Sequence, residues 1–173
     1  MALSLYDVSV TSFLQTLTAL EGVLAKGLAH CEAKGIDPGE IVETRIYPDM
    51  MPFRFQVQSA VFHSVVAIQG VKAGEVQPGR HMPDTGYAGL QKLVSDGRAG
   101  LASLKADEIN ALEGKDVVFK LGETALQFTA EGFLLSFSIP NLHFHATTAY
   151  DILRGKGVHI GKRDYIGRLR LKP

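Results

Sequence analysis

Ile139-Pro140-Asn141-Leu142-His143-Phe144-His145-Ala146-Thr147-Thr148-Ala149-Tyr150-Asp151-Ile152-Leu153-Arg154 reads as one amphipathic helix, and the rest of the chain can be arranged around it. Pro140 suits a first helical turn, because its fixed φ costs nothing there and its missing N–H has no partner to lose. Leu142, His145, Ala146, Ala149, Ile152 and Leu153 then recur at intervals of three and four, the spacing of one buried face. His145 falls inside that apolar stripe, with Asn141 one turn before it. His143 is two residues away and points to nearly the opposite side, sharing a flank with Thr147, Tyr150 and Arg154. An imidazole in a buried stripe is a candidate functional group.

Working back, Pro52 opens a second helix that ends before Gly74. Its main stripe is Val57, Val61, Val65 and Ile68. His63 lies beside that stripe with Gln56, Ser59, Ala60, Ala67 and Gly70, neighbours small or polar enough to leave room for a cavity or a close helix. Near the N-terminus, Ser4 followed by Asp7 resembles a capping box. Val10, Phe13, Leu14, Leu17, Leu20, Leu24 and Leu28 carry a long first helix to Lys34, with Gly35 as its terminator. Gly22 and Gly27 inside it suggest close packing against a neighbour. Ile36 to Met51 is a punctuated connection whose centre, Ile41–Ile46, is either extended or a short helical turn.

Ala73 to Gly86 is expected to be a loop, and it holds His81 and Asp84. A third helix runs through Tyr87, Leu90, Val94, Leu101 and Leu104. Val117–Leu121 and Thr124–Thr129 flank Gly122-Glu123, a hairpin with a two-residue turn. Phe133–Phe137 begins helix again, and Pro140 either restarts or kinks it. The expected fold is all-α: a single domain over residues 1–173, built as a four-helix bundle with a small β-hairpin inserted before the last helix.

Composition narrows the function classes. The 173 residues are 46% hydrophobic and 21% charged, ordinary for a globular domain. Lys+Arg and Asp+Glu balance at 18 each, so no overall field recruits nucleic acid or an anionic membrane. The balance fails locally, in a basic tail from about Lys162 that includes Arg163, Arg168, Arg170 and Lys172. It suits solvent or a docking partner. The single cysteine, Cys31, excludes an internal disulfide and fits a reducing cytosol. The first residues lack a secretory pattern, and no run is expected to reach the roughly 18 apolar residues of a membrane span. A cytoplasmic location is the expectation.

Most catalytic signatures are missing. Gly155–Arg163 is not a phosphate loop, since it lacks the glycine required at position 156 and the Ser or Thr required at position 163, and follows a helix rather than a strand. There is no G-x-S-x-G, C-x-x-C or H-E-x-x-H. What remains is His63 and His145 on two helices that can face one another across a core, with Asn141 offering an amide oxygen nearby. Bundle cores are where facing helices assemble sites for Zn²⁺, Ni²⁺ or Fe²⁺. Two histidines satisfied by hydrogen bonds to Gln56, Asn141, a Tyr or the backbone are the alternative.

Four motifs carry a family resemblance: Arg45-x-Tyr47-Pro48-Asp49-Met50-x-Pro52, Phe55-Gln56-Val57-Gln58, the Pro140–Arg154 run quoted above, and Gly157-x-x-Ile160-Gly161-Lys162-x-Asp164. Over roughly Leu3 to Gly167 the chain resembles an uncharacterised bacterial and fungal family within the DinB/YfiT-like superfamily of metalloenzymes. That resemblance implies a four-helix bundle, commonly a homodimer. In the superfamily three histidines typically bind a divalent metal, one on helix two and an H-x-x-x-H pair on the last helix. His63 matches the first and His145 one of the pair, but the positions a turn away hold Asn141 and Ala149. The site implied by the resemblance is therefore an incomplete metal set, His63, His145 and Asn141. Its pocket would involve Tyr47, Asp49, Gln56 and Tyr150. Two functions follow as expectations: a small-molecule-binding or catalytically degenerate member, or a divalent-metal enzyme of transferase or isomerase type that uses a small thiol.

Overall fold

A computed structural model describes residues 3–78 and 85–172 of the chain. It is mostly helical, with a three-stranded sheet at one side. Helix α1 (Leu5–Val8) is capped by Ser4, whose Oγ accepts the Asp7 N–H and bonds the Asp7 carboxylate. The chain breaks at Ser9, whose hydroxyl donates to the Leu5 carbonyl at 2.6 Å. Helix α2 (Val10–Lys34) follows and stops at left-handed Gly35, φ 66°. By length and mean hydropathy, 1.3, the run Leu5–Lys34 would suffice to cross a membrane, which the sequence reading did not anticipate. Its apolar face, from Phe13 and Leu17 to Leu24 and Cys31, is buried in the core.

Helix α3 (Pro38–Val42), capped by Asp37, is the short helical turn of the connection. It leads to α4 (Phe53–Val61), a π-helical segment (Phe62–Val66) and α5 (Ala67–Ala73), which together form one continuous rod. In the π segment the N–H of Ala67 reaches back five residues to the Phe62 carbonyl. The Ser64 hydroxyl takes up the Ala60 carbonyl at 2.8 Å. The widened turn adds a residue, so side chains beyond it are rotated relative to an ideal helix.

Strand β1 (Glu75–Val76) lies in the stretch read as loop, where it pairs in parallel with the first hairpin strand. His81 and Asp84 lie outside the described residues. Helices α6 (Tyr87–Ala102) and α7 (Ala106–Asn110) precede β2 (Asp116–Leu121) and β3 (Thr124–Thr129). β2 and β3 pair antiparallel with Phe119 opposite Leu126, around a turn whose Gly122 takes φ 60°, a conformation costly for a residue with a Cβ. The fold is thus not purely helical. A two-residue parallel strand has too short a pattern to stand out in sequence, and its stability comes from a distant partner.

The last rod is α8 (Ala130–Gly132), a second π-helical segment (Phe133–Ser138) and α9 (Ile139–Gly155). Pro140 neither restarts nor ends it. It falls in the first turn of α9, just after the π segment ends at Ser138, and the Asn141 side-chain amide donates to the Phe137 carbonyl at 2.7 Å. α9 packs on α4 and also touches α2, while α6 packs on α2. Gly27 marks one close approach: a Cβ there would lie 2.2 Å from the Tyr87 hydroxyl and 3.1 Å from Leu153. Gly22 meets nothing within 4 Å, so its expected packing role is not observed. Helix α10 (Lys162–Ile166) lies against α2, tied by Lys26–Asp164 at 2.6 Å and Gln15 to the Ile166 carbonyl at 3.0 Å.

Candidate functional site: a stacked histidine pair

His63 enters from the first π segment and His145 from the middle of α9. Their rings lie nearly parallel, 11° apart, with centroids separated by 5.7 Å. The face expected for His63 is buried throughout: Gln56, Ser59, Ala60, Ala67 and Gly70 are all inside. Phenylalanines enclose the pair edge-on. Phe62 and Phe137 contact His63 at 5.0 and 5.6 Å, and Phe55 and Phe144 contact His145 at 5.8 and 5.2 Å. Phe137 also meets Phe119 of β2 at 4.7 Å, so the sheet supports one wall of the site. The Ser138 hydroxyl donates to the His63 carbonyl at 2.8 Å and ties the two π segments together. Sequence reasoning assigned none of these Phe residues, nor Ser138, to the site. Phe137 precedes His145 by two helical turns, the one signal that could have placed it on the same face.

The protonation pattern follows from the contacts. Gln56 donates through Nε2 to the Met51 carbonyl at 2.9 Å, which orients its amide, and its Oε1 lies 2.8 Å from His145 Nδ1. A carbonyl oxygen only accepts, so the network assigns the proton of His145 to Nδ1 and leaves the Nε2 lone pair available. His63 Nδ1 is buried with no hydrogen-bond partner. Burial pulls the His63 pKa from 6.5 to about 4, with the neighbouring His145 adding to the effect. Burial alone brings His145 to about 4. At neutral pH both rings are uncharged.

The sequence profile of the family described as a domain of unknown function, DUF1993, matches residues 5–166. The chain belongs to this family. The DUF1993 chain is also similar to the crystal structure of a DinB family member protein from Shewanella denitrificans, with a TM-score of 0.81 and 28% identity over 98% of this chain and 95% of that one. No curated protein matches it.

The other residues singled out from sequence, Gln56 apart, are dispersed. Gln56 touches His145 directly. The Asn141 amide is committed to the Phe137 carbonyl of its own rod. Tyr47 and Asp49 sit in the exposed connection before α4, where Tyr47 is 64% exposed. Tyr150 is turned toward Tyr165, ring centroids 6.1 Å apart. For a divalent metal, the pair fits in reach: metal–nitrogen bonds of about 2.0–2.1 Å allow ring centroids roughly 6 Å apart. The donor set does not fit. Among the described residues no group of three or more His, Cys, Asp or Glu could hold an ion. Two imidazoles alone leave a structural or catalytic zinc site at least one protein ligand short.

Proposed function

We propose that this DUF1993 chain is a catalytically degenerate, small-molecule-binding member of the DinB-like group, a four-helix bundle that works as a cytoplasmic homodimer. Its recognition centre is the neutral pair His63 and His145 with Gln56. One observation carries this: two uncharged imidazoles stacked among phenylalanines, with the His63 Nδ1 unpartnered and the His145 Nε2 lone pair uncommitted. A buried polar atom without a partner is costly, and a ligand with its own donor and acceptor would satisfy both ring nitrogens. The aromatic walls favour a partly apolar molecule.

A second reading is kept because of Gln56. Metal-bound histidines typically donate their other ring N–H to an oxygen acceptor, as His145 does here. In that reading His63, His145 and Asn141 would hold Zn, Ni or Fe in a transferase- or isomerase-like enzyme assisted by a small thiol. Asn141 would first have to leave the Phe137 carbonyl.

The two readings separate in one experiment. Protein purified without a histidine tag is analysed for metal and then melted with and without added Zn²⁺, Ni²⁺ or Mn²⁺. The first reading expects no stoichiometric metal and no rise in Tm. An ion binding only the native state at about a hundred times its Kd would add about 2.7 kcal/mol. A stoichiometric ion lost in both His63→Ala and His145→Ala would replace the first reading with the second.

A further inference from the structure

On the far side of α9 from the histidine pair, a cleft of about 210 Å³ is lined by Ser12, Gln15, Thr16, His143, Tyr165 and Ile166. Ser12, Gln15 and Thr16 fall at i, i+3 and i+4 of α2 and so share one face. His143 comes from α9, and Tyr165 and Ile166 come from α10. We infer that this cleft is a binding site for a small neutral polyol, of about three to five carbons, held by the hydroxyl, amide and imidazole groups of these three helices.

The lining is polar without a formal charge. Nearby Asp164 is already neutralised by Lys26 at 2.6 Å and by the Gly161 N–H at 2.8 Å. An ionic ligand would therefore meet no countercharge. Tyr165 is the hub. Its hydroxyl accepts from Thr147 Oγ1 at 3.0 Å and lies 3.2 Å from His143 Nδ1. With Thr147 donating, the phenol proton goes to His143 Nδ1, nearer than the His143 carbonyl at 3.5 Å, and a neutral His143 carries its own proton on Nε2 as a donor. Gln15 spends its Nε2 on the Ile166 carbonyl, leaving its oxygen as an acceptor. Thr16 donates to the Ser12 carbonyl at 3.2 Å. The cleft is thus lined by both donors and acceptors.

That mixture suits a molecule in which each hydroxyl both gives and takes a hydrogen bond. The Tyr165 ring and the Ile166 side chain offer apolar surface for its carbon backbone. The size agrees: at about 30 Å³ per water the cleft holds the volume of about seven waters. A drug-sized molecule needs 300 Å³ or more. The Lys26–Asp164 pair and the Gln15–Ile166 bond hold α10 against α2 beside the cleft.

The test titrates the ¹⁵N-labelled full chain with ribitol, and in parallel with 1,5-pentanediol, which has the length but not the inner hydroxyls. The expected result is saturable, millimolar binding of ribitol, with amide shifts concentrated at residues 12–16, 143 and 165–166, and no saturation with the diol. Tyr165→Phe, which keeps the ring and removes the hub, should weaken ribitol binding about tenfold. Ser12→Ala should weaken it too while leaving the α10 contacts in place. Shifts that drift without saturating, an equal response to the diol, or undiminished binding in both variants would overturn the assignment.

Discussion

Acid should destabilise this protein through the histidine pair, at a pH where most carboxylates are still ionised. An unfolded imidazole takes up its proton near pH 6.5, whereas His63 in the native state resists until about 4. Between those values the unfolded chain binds more protons than the native one, so the free energy of unfolding falls as pH falls. The contribution is fully present above pH 6.5 and is lost progressively toward pH 4. Bringing the pH down to about 4.5 crosses about two pH units of that window, at about 1.4 kcal/mol each, or on the order of 3 kcal/mol for His63. His145 acts in the same direction, held neutral to about 4. Protons on the two rings oppose one another at 5.7 Å, so the pair titrates as a unit. His145 is only part-buried, so solvent screens its share, and His63 carries most of what is at stake, on the order of 3 kcal/mol against a typical domain stability of about 5–15 kcal/mol. Glu75, Glu131 and Asp164, whose carboxyls are held below their usual range by hydrogen bonds, are exposed or nearly so and lose their contribution only at lower pH. Urea unfolding followed by circular dichroism at several pH values from about 7 to about 4.5 measures the slope. The variants His63→Leu and His145→Gln should each flatten it. A wild-type slope no steeper than that of the double variant would refute the reasoning.

Three further outcomes are expected. Gly27→Ala forces a Cβ to within 2.2 Å of the Tyr87 hydroxyl and should cost about 1–3 kcal/mol, whereas Gly22→Ala, with open space around it, should be neutral or stabilise by up to about 1 kcal/mol; paired thermal melts decide this. Ser138→Ala removes the bond to the His63 carbonyl and should cost about 1 kcal/mol, while also moving the His63 ring resonances in NMR, which a loss of helix stability alone would not do. Tyr87→Phe deletes the 2.9 Å bond to the Leu24 carbonyl; that oxygen lies inside α2 and keeps its intrahelical partner, so the cost should be about 1 kcal/mol, read by the same melts.

Much of this fold is written in local periodicity. The long stripes through Phe13 and Leu24, Val57 and Ile68, and Leu142 and Leu153 each need only the 3.6-residue repeat; these residues are buried, while Leu14, Leu28, Val65 and His145 of the same stripes are half-buried. The hairpin was legible because Gly122 sits between two β-rich runs. Strand β1 was not, because two residues show no alternation and their partner lies some forty residues away. The site divides in the same way. The buried faces of His63 and Gln56 follow from helical spacing, but the ring stacking depends on two π segments that shift register, and no simple repeat reports those. Tyr150 illustrates the limit. Its flank was read correctly beside His143 and Thr147, but that flank faces Tyr165 and α10 rather than the histidine pair.

The tautomer of His145 tests the central claim most directly. Long-range ¹H–¹⁵N NMR at about pH 6 should find both His63 and His145 neutral, with the His145 proton on Nδ1 and its Nε2 unprotonated, and Gln56→Leu should disturb that assignment. A charged ring at that pH, or a His145 proton on Nε2, would contradict a neutral pair oriented by Gln56.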